Sequence, residues 1–125
     1  MLIVLYKQDS IKRHRKDIMN LETFFKRHAS ICMEEKNRTI PHVQTIILYE
    51  LWKSNTPISL SDIWYEYDLE GYIVSRNAQM LSNGLKYTGT VRKGKKWITE
   101  YGYGRNKTIG LTLRGKIIAK RLFDS

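Results

Sequence analysis

Three histidines (His14, His28 and His42), one cysteine (Cys32) and the carboxylates Asp62 and Glu66 are the side chains from which acid–base, nucleophilic or metal chemistry would have to be built. The histidines share no metal-ligand spacing with carboxylates or a second thiol, so no metal site is expected. Asp62 and Glu66 sit one helical turn apart, but no nucleophile and no phosphate-cradling glycine loop accompanies them. The chain therefore reads as a non-enzyme without a cofactor. A single cysteine also excludes an internal disulfide, and on the apolar stripe described below it reads as a buried, inert thiol rather than a redox switch.

The chemistry that remains is ionic. With 22 Lys and Arg against 12 Asp and Glu, the net charge is +10. Its distribution is uneven: residues 1–38 carry +4, 39–85 carry −3, 86–107 carry +6 and 108–125 carry +3. A cationic segment of this density suits a polyanion such as DNA, because each phosphate neutralised by Lys or Arg releases a condensed counterion. Arg92, Lys93, Lys95 and Lys96 crowd one end of it, and Arg105, Asn106 and Lys107 the other.

The elements that must position these residues follow from periodicity. Between residues 9 and 36, Ile11, His14, Ile18, Leu21, Phe25, His28 and Cys32 recur at spacings of four and three, one stripe of a long amphipathic helix. A helix of that length outreaches a small core, and its surplus is expected to pack on a second copy of the chain. Pro41 suits the first position of a second helix, in which Val43, Ile46, Ile47, Leu48, Leu51 and Trp52 form a wide apolar face. Turn formers at 54–57 lead to Ser59 and Asp62, a capping-box pattern opening a short helix that buries Leu60, Ile63, Trp64 and Tyr67. After a turn at 68–71, Val74, Ala78 and Leu81 are the inward positions of the next helix, with Ser75, Arg76, Asn77 and Gln79 outward. Short helix, tight turn and second helix make a helix-turn-helix.

Residues 85–96, rich in glycine and lysine, read as a mobile basic loop. The β-branched and aromatic runs at 97–101 and 107–113 then form a hairpin with a basic tip. A short basic helix over 114–123 ends the chain. The expected fold class is α+β, mainly α: a winged helix-turn-helix with a two- or three-stranded β-wing and a long N-terminal helix. It forms a single domain, 1–125, whose core spans 40–113. The longest early apolar run, Leu2 to Tyr6, is far too short to span a bilayer and resembles no signal peptide, so a bacterial or phage-infected host cytoplasm is expected.

Two local patterns carry a family resemblance. Val74-Ser75-Arg76-Asn77 with Leu81 resembles the start of the recognition helix of the MarR regulators. Arg105 followed by Leu111-Thr112-Leu113-Arg114-Gly115 resembles that family's wing arginine and the exit from its wing. The resemblance spans about residues 40–122 and is nearest to the small phage or mobile-element type. The chain departs from the pattern at Gly104, where an acidic residue is usual, and in its short final helix. The resemblance implies that Ser75, Arg76, Asn77 and Gln79 enter the major groove, where Arg reads guanine and Asn or Gln reads adenine. It implies that Arg105, with Asn106 and Lys107, reaches the minor groove, while Arg92, Lys93, Lys95 and Lys96 attract phosphates. The expected function is a homodimeric, sequence-specific regulator of transcription on double-stranded DNA, a repressor acting by occlusion, with any small-molecule effector unknown. The alternative is a protein-docking module of a phage or mobile element, using Trp97, Tyr101 and Tyr103.

Overall fold

A computed structural model describes residues 7–35, 39–87, 90–102 and 107–124, and for 7–20, 85–87 and 90–92 the description is of the backbone. The chain divides into two units, one holding residues 1–38 and the other Thr39–Asp124. Among the described residues the first unit holds one helix, α1 (Lys7–Glu34). Within it Leu21 and Phe25, two members of the apolar stripe, remain 53% and 60% exposed. Cys32 is half-buried, with Sγ 3.7 Å from Nδ1 of His28 one turn earlier. The side chains of Ile11, His14 and Ile18 lie outside the described residues.

The second unit is assembled on α2 (His42–Ser54), whose Ile47, Leu48 and Leu51 are buried. Pro41 occupies the N-cap, one position earlier than its fixed φ suggested, and Trp52 is only half-buried. Asn55, in the left-handed region at φ 57°, ends the helix by donating its N–H to Leu51 O. A two-residue strand, β1 (Ile58–Ser59), leads into α3 (Leu60–Glu66). The Ser59 hydroxyl caps α3 by accepting from Ser61 N–H at 3.3 Å, so the expected capping box with Asp62 does not form.

Leu60 and Ile63 anchor α3, whereas Trp64, expected in the core, is 36% exposed. Seven residues give α3 room for one inward ridge. Trp64 falls at its edge, close over Gly71 at the start of α4 (Gly71–Leu81). Tyr67 closes α3 and ties it to α2, its hydroxyl donating to Glu50 Oε2 at 2.6 Å. Burial, followed by the Glu50 carboxylate, pushes that hydroxyl above the ordinary phenol range, so it stays a proton donor at any physiological pH.

The expected basic loop at 85–96 is instead an antiparallel ribbon. β2 (Gly84–Tyr87) pairs with β3 (Thr90–Lys93) from Gly84 opposite Lys93 to Tyr87 opposite Thr90. Alternating small, apolar and charged residues such as Leu85-Lys86-Tyr87 and Thr90-Val91-Arg92 suit a strand, and the glycine count concealed that pattern. A second sheet, ordered β1-β5-β4, joins β4 (Ile98–Tyr101) and β5 (Thr108–Leu111) as the expected hairpin, with β1 as its third strand.

Trp97, which the protein-docking alternative needs at the surface, is fully buried at the head of β4. Its backbone carbonyl accepts from Thr112 N–H at 3.0 Å. Thr112 in turn caps α5 (Leu113–Phe123), its hydroxyl accepting from Gly115 N–H at 3.0 Å. α5 returns onto α2 through Ile118, Ala119 and Leu122 and an edge contact of Phe123 on Tyr49. No helix of the described residues is long and apolar enough to cross a membrane.

Gly115 lies so close to this crossing that a Cβ there would sit 1.8 Å from the Trp97 carbonyl oxygen, an atom that cannot yield. Gly115→Ala is therefore expected to lower stability by about 2–3 kcal/mol in urea denaturation. Gly71→Ala, whose added carbon would meet only Trp64 at 3.6 Å, is expected to leave the midpoint unchanged or raise it slightly.

Candidate nucleic-acid interface

The polar surface of α4 follows from which of its residues the core consumes. Val74, Ala78 and Leu81 are buried against α2, α3 and β4. That leaves Tyr72 and Arg76, one turn apart, exposed on the opposite side, with Ser75 and Gln79 half-buried beside them. Tyr72, 67% exposed, was missed in the sequence because an aromatic ring at the start of a helix reads as core. It offers a flat apolar face and a hydroxyl within the same polar strip as Arg76.

Asn77 behaves differently from its neighbours. It is half-buried, donates from Nδ2 to Ile73 O at 2.9 Å and accepts from Gln44 Nε2 at 3.1 Å. The outward reading of Asn77 is corrected accordingly, since its amide is turned toward α2. Gln44, only 3% exposed, was not singled out. A lone amide interrupting an apolar helix face was the available signal.

The cations of the 86–107 segment separate into several settings. The Arg92 side chain, and Arg105 and Asn106 entirely, lie outside the described residues. Lys93 and Lys96 are exposed at and just beyond the end of the ribbon. Lys95 is half-buried: its Nζ donates to Thr39 O at 3.0 Å and to Gln44 Oε1, and lies 5.5 Å from the centre of the Trp97 ring. Lys107, at the base of the wing, pairs with Glu100 Oε2 at 3.1 Å, both groups being about four-fifths buried. Lys95 and Lys107 are thus committed to intramolecular partners.

The ribbon is fastened to α4 by backbone. Lys95 N–H donates to Met80 O, Trp97 N–H to Leu81 O and Lys96 N–H to Ser82 O, at 2.8–3.0 Å. These bonds satisfy carbonyls that a helix C-terminus leaves unpaired. The approach demands a glycine, because a Cβ on Gly94 would lie 2.1 Å from Ser82 O. It also holds Lys96 at φ 60°, a left-handed conformation uncommon for lysine. The basic segment therefore starts at a fixed place relative to the end of α4.

A cleft of about 160 Å³ lined by Leu51, Asn55, Pro57, Tyr101 and Lys116 is small for an organic effector, pockets for which run to roughly 300 Å³ or more.

Helix, helix-turn-helix, antiparallel wing and returning helix make this a MarR-like winged-helix fold. Among solved structures the chain is similar to MepR, a transcription regulator of the Staphylococcus aureus multidrug efflux pump MepA, with a TM-score of 0.56 and 20% identity. That likeness covers 88% of this chain and 72% of that one. It is also similar to the YusO protein from Bacillus subtilis, with a TM-score of 0.54 and 15% identity over 94% of this chain and 72% of that one. No protein-family model and no curated protein matches the sequence.

If Asn77 serves the fold, removing its amide must be felt without any ligand. Asn77→Ala is expected to destabilise the free protein by about 1–3 kcal/mol, since it strands Gln44 Nε2 in a buried place. Ser75→Ala is expected to stay within about 0.5 kcal/mol of the parent by the same urea titration.

Proposed function

We propose that this protein is a regulator of transcription that binds double-stranded DNA through the exposed side of α4, with the wing and the β2–β3 ribbon gripping phosphates on either side. The observation carrying this reading is the polar strip of Tyr72, Ser75, Arg76 and Gln79 on a helix whose C-terminal end is joined by three backbone bonds to the most cationic stretch of the chain. An α-helix fits the major groove, and an arginine there pairs with the O6 and N7 of guanine. In this reading Arg76 is the principal base reader, Gln79 and Ser75 assist, and Arg105 and Asn106 probe the minor groove from the wing. Lys93, Lys96 and Arg92 neutralise phosphates. That MepR is a transcription regulator supports the assignment by likeness of fold.

The regulator acts as a homodimer and a repressor in this proposal. Leu21 and Phe25 give α1 large exposed apolar side chains, for which a second α1 is the natural cover. Two copies would place two α4 helices on one face of the duplex, one helical turn apart or a multiple of it, and occupancy alone would block a promoter. Of the three aromatics of the protein-docking alternative, Trp97 is inside the core, Tyr101 is exposed and Tyr103 lies outside the described residues.

Binding of a site selected from random duplexes, followed over a salt series, tests the proposal. Arg76→Ala is expected to weaken the selected site by about 1–3 kcal/mol while leaving random DNA nearly unchanged. Lys93→Ala is expected to weaken both equally and to reduce the slope of log K against log salt by about 1. Absence of duplex binding at low salt, or equal losses on both DNAs for Arg76→Ala, contradicts the assignment.

A further inference from the structure

We propose that Gln44 and Lys95 are positioning residues: they hold α4 at one rotation, and discrimination between duplex sequences depends on them although neither touches DNA. The inference rests on reading α4 as the DNA-contacting helix. Its geometry is a continuous relay: Lys95 Nζ donates to Gln44 Oε1, Gln44 Nε2 donates to Asn77 Oδ1, and Asn77 Nδ2 donates to Ile73 O.

Both ends of this relay have fixed polarity. An ammonium can only donate and a backbone carbonyl can only accept. The lysine therefore orients the Gln44 amide, Gln44 orients the Asn77 amide, and the Ile73 carbonyl accepts the last donor. Neither amide can flip without placing two donors or two acceptors face to face.

The relay begins at the base of the β2–β3 ribbon, crosses the buried flank of α2 and ends inside α4. Asn77 lies next to Arg76 in sequence, so a rotation of α4 about its axis moves both together. Since base reading requires paired hydrogen bonds of narrow geometry, a small rotation of α4 disturbs the reading by Arg76 more than it disturbs attraction to phosphates. Lys95 also reaches Thr39 O, which secures its ammonium from a second side.

The test uses the full chain with Gln44→Leu, Gln44→Glu and Lys95→Met, and two readouts. The first is amide hydrogen exchange of the free protein. Gln44→Leu is expected to speed exchange in the middle of α4 by about tenfold, the consequence of losing one or two hydrogen bonds, and to leave β4 and β5 unchanged. The second is affinity for a selected and a random duplex over a salt series. Gln44→Leu and Lys95→Met are each expected to cut the preference for the selected duplex about tenfold, with the salt slope unaltered, because no phosphate contact is lost. Gln44→Glu keeps an acceptor for Lys95 but sets a carboxylate against Asn77 Oδ1, and is expected to lose preference as Gln44→Leu does.

A salt slope reduced by about 1 in Lys95→Met with preference intact would make Lys95 a phosphate contact and overturn the proposal. Unchanged exchange in α4 for Gln44→Leu would overturn it too. If the parent binds no duplex, the DNA reading fails on its own, and the exchange measurement still decides whether Gln44 positions α4.

Discussion

Three consecutive backbone N–H groups, from Lys95, Lys96 and Trp97, donate to the carbonyls of Met80, Ser82 and Leu81 at the end of α4. The rest of the second unit is arranged around that junction. It satisfies carbonyls that the helix leaves unpaired, it turns the chain into β4, and it buries Trp97 beneath the start of α5 through the Thr112–Trp97 bond. Without a glycine at 94 the two backbones could not approach. The junction gives the cationic ribbon and the wing a common root at the helix that carries Arg76.

Charge then acts selectively. The stretch 39–85 is net acidic, with Asp62, Glu66, Asp68 and Glu70 exposed on or beside α3, while 86–107 is strongly basic. In the proposed mode of binding, a duplex approaching α4 would meet attraction from the basic stretch and repulsion from the α3 side, which would restrict the orientations it can take. Two of the lysines in the basic stretch are used by the fold, Lys95 on Gln44 and Thr39 and Lys107 on Glu100. Formal charge therefore overstates the number of groups ready for phosphate.

The sequence was most legible where period and burial agree. The spacing of Val74, Ala78 and Leu81 specified α4 and its buried side, and the β-branched runs specified β4 and β5, because each pattern has a single geometric solution. The ribbon at 84–93 was hidden because its strands are short and flank glycine, so composition suggested a loop. Trp64, expected in the core, is exposed while Trp97 is buried: which indole is buried depends on the crossing of β4 beneath α5 and on the brevity of α3, neither of which is a local property. Asn77 lies at the flank of its helix, where period alone cannot tell outward from inward. Only the buried Gln44 on α2 decides it.

Docking of a duplex on α4 and on the basic elements rooted at its end is read out by mapping the backbone amide NMR shifts of the protein as duplex DNA is added. The perturbations are expected to concentrate on Tyr72, Ser75, Arg76 and Gln79 of α4, on the ribbon and on the wing, with Asp62, Tyr65 and Glu66 of α3 little affected. Perturbations centred on the acidic and aromatic surface of α3, with the polar side of α4 silent, would contradict it.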